Sequence, residues 1–262
     1  MKQDLQLKIE QIFELQNSDK KQIEQWSNEK IAEQISILRK DLDNTGKKCS
    51  VCVALLNYFD RKIIRYQKLI AKEKYDLYPY KRLIPIIQTH KNVYEMIGYL
   101  SLLQMDAMTT IIGLLQAKSD TERIMLCKHA YTIVYETVKN NLFQKISSGI
   151  KQYPDELKGN IYKPFWDNIK SILKHITNLE EAKEIRNNID AHKCHSFATQ
   201  ISAYKKCSWS QSILNLNILI KIVDIVREYM DIINNNMIQK YDRYKADMEE
   251  RVKRMEVILE EL

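Results

Sequence analysis

The stretch from Cys52 to Ile70, CVALLNYFDRKIIRYQKLI, decides the fold class. Its apolar positions Cys52, Leu56, Phe59, Ile63, Tyr66 and Ile70 recur at spacings of 4, 3, 4, 3 and 4. A helix gathers such positions into one seam, whereas a half-buried strand needs strict alternation. The same arithmetic returns late in the chain. Ile218, Ile222, Ile225, Tyr229 and Ile232 form one seam, and Met248, Val252, Met255, Leu259 and Leu262 form another. The expected fold is all-α: a multi-helix bundle with long antiparallel helices and coiled-coil-like N- and C-terminal helices.

Composition agrees. The 262 residues include only 5 Gly and 4 Pro, too few for the many turns of a sandwich, barrel or doubly wound sheet. With 45% hydrophobic and 29% charged residues, the chain has the material for a packed core. No Gly-rich phosphate loop is present, so Walker and Rossmann readings have no support.

Three regions are expected. Residues 1–78 form an N-terminal helical hairpin or coiled-coil-like region, with Asn44-Thr45-Gly46 stopping its second helix. Pro79 and Pro85 bracket a break, and residues 79–235 form the main helical domain. Within it one helix runs from about Ile86 to Ala117. Another, capped by Ser119-Asp120, runs to about Ile146, and Ser147 to Asn160 reads as a loop. Pro164 suits the first turn of the next helix, and Ser208 or Ser210 caps the last major one. Asn234-Asn235-Asn236 interrupts that helix, leaving residues 236–262 as a terminal amphipathic helix.

The formal charge is +7, unevenly spread. From Lys139 to His175 seven Lys face Asp155, Glu156 and Asp167, whereas Tyr241 to Leu262 carries five basic and seven acidic residues. A basic middle allows RNA contact. Lys151, Lys158 and Lys163 lie among aromatic residues between Tyr153 and Trp166, a combination that can stack and hold single-stranded RNA. The plainer reading makes Tyr162, Phe165 and Trp166 core anchors of the next helix. The N-terminus, Met1-Lys2-Gln3-Asp4, leads straight into amphipathic positions without an apolar leader, and Cys occurs 5 times. A cytoplasmic chain with reduced thiols and no membrane span is expected.

The segment Arg186-Asn187-Asn188-Ile189-Asp190-Ala191-His192 carries the functional signal. It resembles the signature of the HEPN superfamily, in which an Arg, often followed by Asn, precedes a His by several residues. The resemblance covers about residues 80–235 and implies a metal-independent endoribonuclease, a toxin or antiviral defence effector that acts as a homodimer. It implies no cofactor, RNA as substrate, and a protein partner or antitoxin as regulator. His192 would move protons, Arg186 would stabilise phosphate charge, Asn187 would orient, and Lys193 would add to RNA binding. One departure stands out: Cys194 occupies the position where some such toxins carry a modifiable Tyr.

Residue chemistry supports the same reading. RNA carries its own nucleophile, the 2′-hydroxyl, so cleavage needs proton transfer and phosphate stabilisation. A His titrates near neutrality and an Arg offers a permanent forked charge. Positions six apart on a helix, however, lie about 120° apart. Arg186 and His192 therefore converge poorly within one straight helix, and two motifs meeting across a dimer relieve the problem. Alternatives are an ordinary Arg186–Asp190 ion pair beside a helix-end His192, and a non-catalytic helical module that binds protein or RNA. Cys49 and Cys52 have CxxC spacing, but a zinc site needs further ligands, for which His192, Cys194, His195 and Cys207 are the candidates.

Overall fold

The computed structural model describes residues 7–12, 20–72, 78–139, 142–174, 176, 183–185, 202 and 205–260. Among them every regular element is helical and there is no strand. After the helical residues 7–12 come α1 (Lys20–Glu24), α2 (Asn28–Lys72), α3 (Tyr78–Gln116) and α4 (Asp120–Lys139). They are followed by α5 (Leu142–Lys151), α6 (Asp155–Lys158), α7 (Tyr162–Lys174) and α8 (Trp209–Glu260).

Three long helices make the frame. Asp60 on α2 pairs with Lys91 on α3 at 2.6 Å, and Thr45 bonds Gln104, so the two helices run antiparallel. Gln104 and His90 of α3 bond Asp224 and Asn234 of α8, which makes that pair antiparallel too. α4 returns along α3 and runs parallel to α8, with Arg123 over the Trp209 ring. Its start is a capping box: the Glu122 amide donates to Ser119 Oγ, and Glu122 Oε2 accepts from the Lys118 amide.

One main core joins all of these, from Ile9 and Ile12 to Met237. Tyr229 is its hub, fully buried, stacked on Phe165 at 4.5 Å and donating its hydroxyl to the Lys158 carbonyl. A smaller cluster of Ile63, Leu83 and Ile87 closes the end where α2 leads into α3. Leu83–Gln116 and Trp209–Arg243 are apolar and long enough to cross a membrane by length and composition alone. The most apolar 18-residue window of the second stretch is 78% buried, as befits an inner stave of the bundle.

Four expected boundaries are corrected. α2 runs unbroken through Asn44-Thr45-Gly46: Thr45 is buried against Gln104, and Gly46 faces Met105, so tertiary packing overrides the weak helix formers. α3 begins at Tyr78 and includes both prolines. Pro79 lies in the first turn, where no amide is missed, and Pro85 sits on the exposed face with its carbonyl accepting from Thr89. The helix expected to reach Ile146 ends at Lys139; α5 then carries the first part of the expected loop, to Lys151, and α6 a further turn of it. α8 is continuous through Asn234-Asn235-Asn236, because two of these residues bond other helices. Residues 236–260 accordingly extend α8, and the core spans the expected boundary at residue 78.

Asn234 connects a polar cluster at this end. Its Oδ1 lies 3.1 Å from His90 Nδ1 and its Nδ2 donates to the Tyr94 hydroxyl at 2.9 Å, while Phe59 stacks on both rings. Burial holds the His90 pKa below its ordinary 6.5, the bond from Asn234 opposing that and the Lys62 charge adding to it. Asn234→Ala strands buried polar atoms and should cost about 1–3 kcal/mol in urea unfolding at pH 7.5. A depressed His pKa means the folded state binds fewer protons than the unfolded chain. Stability from His90 is complete above about pH 6.5 and is lost as pH falls through the depressed folded value. His90→Gln should flatten unfolding stability against pH across that window relative to wild type.

Candidate functional site

Arg186, Asn187, His192 and Lys193 lie outside the described residues, as do Cys194 and His195. The chain on either side of them is described. Lys183–Ile185 is helical, and Ile185 is fully buried in the main core that also holds Ile172 and Ile176. The adjacent Glu184 carboxylate accepts from Lys206 Nζ at 2.6 Å. The described chain before the motif and the described chain after it are therefore side by side. Beyond it Ser208 caps α8 by accepting from the Gln211 amide, and Ser210 donates to Glu24 of α1 at 2.7 Å. These contacts put both ends of the segment where α8 and α4 begin.

The second basic region divides. Lys151 and Lys163 are exposed. Lys158 is engaged: its ammonium donates to the Lys151 carbonyl at 3.1 Å, pairs with Asp155 at 2.9 Å and lies over the Tyr162 ring. Phe165 and Trp166 are core, and the Tyr162 hydroxyl donates to the Ser147 carbonyl. The aromatic residues thus anchor α7, as the plainer reading had it.

Sequence reasoning missed a polar constellation at the middle of the bundle. Arg227, 9% exposed, donates from Nη1 to Gln104 Oε1 at 2.7 Å and from Nη2 to Asp224 Oδ1 at 2.5 Å. Gln104 Nε2 donates to the same carboxylate at 2.9 Å, and Thr45 Oγ1 reaches Gln104 Oε1 at 3.4 Å. Each end of the Gln104 amide is matched to a group of opposite demand. The one available sequence signal was Asp224 and Arg227 inside an apolar seam, one turn apart. The chemistry is that of a register lock: the groups satisfy one another across three helices.

The cysteines do not form a reactive centre among the described residues. Cys52 is buried, and desolvation raises its thiol pKa, the reverse of nucleophile activation. Burial likewise raises Cys127, with a bond to Ser212 opposing. Among the described residues no three His, Cys, Asp or Glu side chains are placed to hold a metal ion.

No protein-family model, curated protein or solved structure matches this chain.

Gln104→Ala should leave Nη1 of the buried guanidinium without its acceptor, Asp224 still holding Nη2, and destabilise the protein by about 1–3 kcal/mol in urea unfolding. Gln104→Leu combined with Arg227→Leu should recover part of that loss, because matched apolar replacement removes the stranded group.

Proposed function

We propose that this chain is a metal-independent endoribonuclease of HEPN type, a cytoplasmic toxin or antiviral defence effector that works as a homodimer. One observation carries the reading: the segment Arg186-Asn187…Ala191-His192 in an all-helical chain, directly after the buried anchor Ile185. The Glu184–Lys206 pair supports it, since it ties together the two ends of the segment that holds the motif.

The chemistry follows from the side chains. His192 takes the proton of the RNA 2′-hydroxyl or returns one to the leaving 5′-oxygen, and Arg186 stabilises the crowded phosphate. Asn187 orients the phosphate or the imidazole. The 2′-oxygen attacks phosphorus, the 5′-oxygen departs, and the products are a 2′,3′-cyclic phosphate and a 5′-hydroxyl. Lys151, Lys163 and Lys193 supply cationic contacts along the RNA backbone, and Lys158 contributes through the α6–α7 junction that it stabilises. Pairing of two chains brings two motifs to one cleft and overcomes the angular separation of Arg186 and His192.

A second reading, a non-catalytic helical interaction module, draws on exposed apolar residues of α3, among them Tyr99 and Leu102.

The test is cleavage of single-stranded RNA in EDTA by the purified protein, beside His192→Ala and Arg186→Ala of matched helicity and oligomeric state. Wild type should leave 2′,3′-cyclic ends, and each variant should lose about 100-fold or more in rate. Equal cleavage by all three would overturn the assignment of these residues. Absence of cleavage in all three favours the interaction module.

A further inference from the structure

α3 and α4 touch closely where the chain turns between them. A Cβ added at Gly113 would lie 3.2 Å from the Leu126 methyls, so glycine permits the approach. Away from that point the two helices enclose a cleft of about 780 Å³. At its far end α5 seals against α3, with Gly149 close under Met96. The floor is apolar, with Leu103, Ile133 and Leu142. Tyr99 and Leu102 stand on the lip, 58% and 52% exposed, two of the largest apolar exposures among the described residues.

The charges around this cleft differ in sign from the chain as a whole. The protein carries +7, yet the cleft is lined by the carboxylates Asp106 and Glu136 against the single ammonium of Lys145. From the Gly113–Leu126 contact, the antiparallel register sets Asp106 opposite Ile133 and Leu103 opposite Glu136. The acidic groups therefore flank the apolar floor, and Lys145 stands at the α5 end.

We propose that this cleft is a docking groove for an amphipathic helix of a protein partner, one whose apolar stripe is bordered by Lys or Arg. A stripe spaced i, i+3, i+4, i+7 matches Tyr99, Leu102, Leu103 and Asp106, which follow that same spacing along α3. A small molecule sunk between the helices would leave Tyr99 and Leu102 in water, whereas a helix laid along the groove covers both. An exposed aromatic residue beside an aliphatic one, rimmed by charge, has the composition of an interaction hot spot. The basic border meets Asp106 and Glu136, and this charge complementarity selects the partner from neutral or acidic helices.

The proposal stands apart from the ribonuclease reading, because its readout involves no RNA. The probe is a fluorescein-labelled, 14-residue peptide with Leu on one helical face and Lys on the other, titrated with the full chain. Its counterpart carries Glu in place of Lys. Anisotropy should show binding of the Leu/Lys peptide and at least about tenfold weaker binding of the Leu/Glu peptide. Leu102→Asp should weaken the Leu/Lys complex about tenfold or more. Asp106→Asn should weaken it a few-fold and reduce its salt dependence. Val51→Asp, the same kind of change at an exposed site on α2, should leave it unchanged. No binding, equal binding by Leu102→Asp, or equal loss in Val51→Asp overturns the proposal. So does sedimentation showing that Leu102→Asp splits a dimer of this chain, which would assign the groove to a second copy. Both substituted side chains are more than half exposed, and far-ultraviolet circular dichroism confirms that each variant keeps its helices.

Discussion

The guanidinium of Arg227 is the group around which the long helices must agree. A charge removed from water is tolerated only when its donors are met, and here the acceptors come from both α8 itself and α3. Apolar seams spaced 3 and 4 slide past one another by a turn at modest cost, because one aliphatic contact resembles the next. A slip that carried Gln104 away from Arg227 would leave one donor of a buried guanidinium without its acceptor and take from Asp224 its Gln104 donor. Thr45 extends the same constraint to α2. The relative heights of three helices are thus set by four side chains, and the core packs around them.

This explains why the fold class was legible in the sequence and several boundaries were not. The seams of α2 and α8 are local properties, read from spacing alone. Asn44-Thr45-Gly46 and Asn234-Asn235-Asn236 look like stops because these residue types favour turns when only the local backbone competes for their side chains. In the folded chain Thr45 bonds Gln104, Asn234 bonds His90 and Tyr94, and Asn236 donates to the Leu157 carbonyl. Thr45, Asn234 and Asn236, which locally favour a stop, each have a partner more than 50 residues away. The opposite happened between Ile133 and Ile150, where apolar periodicity hid the change from α4 to α5.

The candidate site was legible to a different degree. The Arg186–His192 signature is a matter of residue type and spacing, so it needs no structure to be noticed. What the structure adds is its setting: an anchor at Ile185 one residue before it, and an ion pair between Glu184 and Lys206 across it. Neither follows from the sequence, since both depend on chain separated by about 20 residues coming together. The basic region around Lys158 shows the converse. Composition groups Lys151, Lys158 and Lys163, and only geometry separates the ammonium that holds the α6–α7 junction from the two that face solvent.

The described residues flanking the motif and the cleft of α3 and α4 lie at different heights of the bundle. The ends of the motif's segment lie beside Trp209, level with Arg123 at the start of α4. The cleft is lined by Thr132 to Thr137 on α4 and by Tyr99 to Asp106 on α3. Arg123 and the nearest cleft residue on that helix, Thr132, are nine residues apart, roughly 14 Å along the axis. A helix seated in the cleft would thus cover one flank of the bundle and leave Glu184 and Lys206, which flank the motif, uncovered. Charge separates them as well. The groove presents carboxylates that repel a phosphate backbone, whereas the motif's segment is bordered by Lys183 and Lys205 beside the Glu184–Lys206 pair.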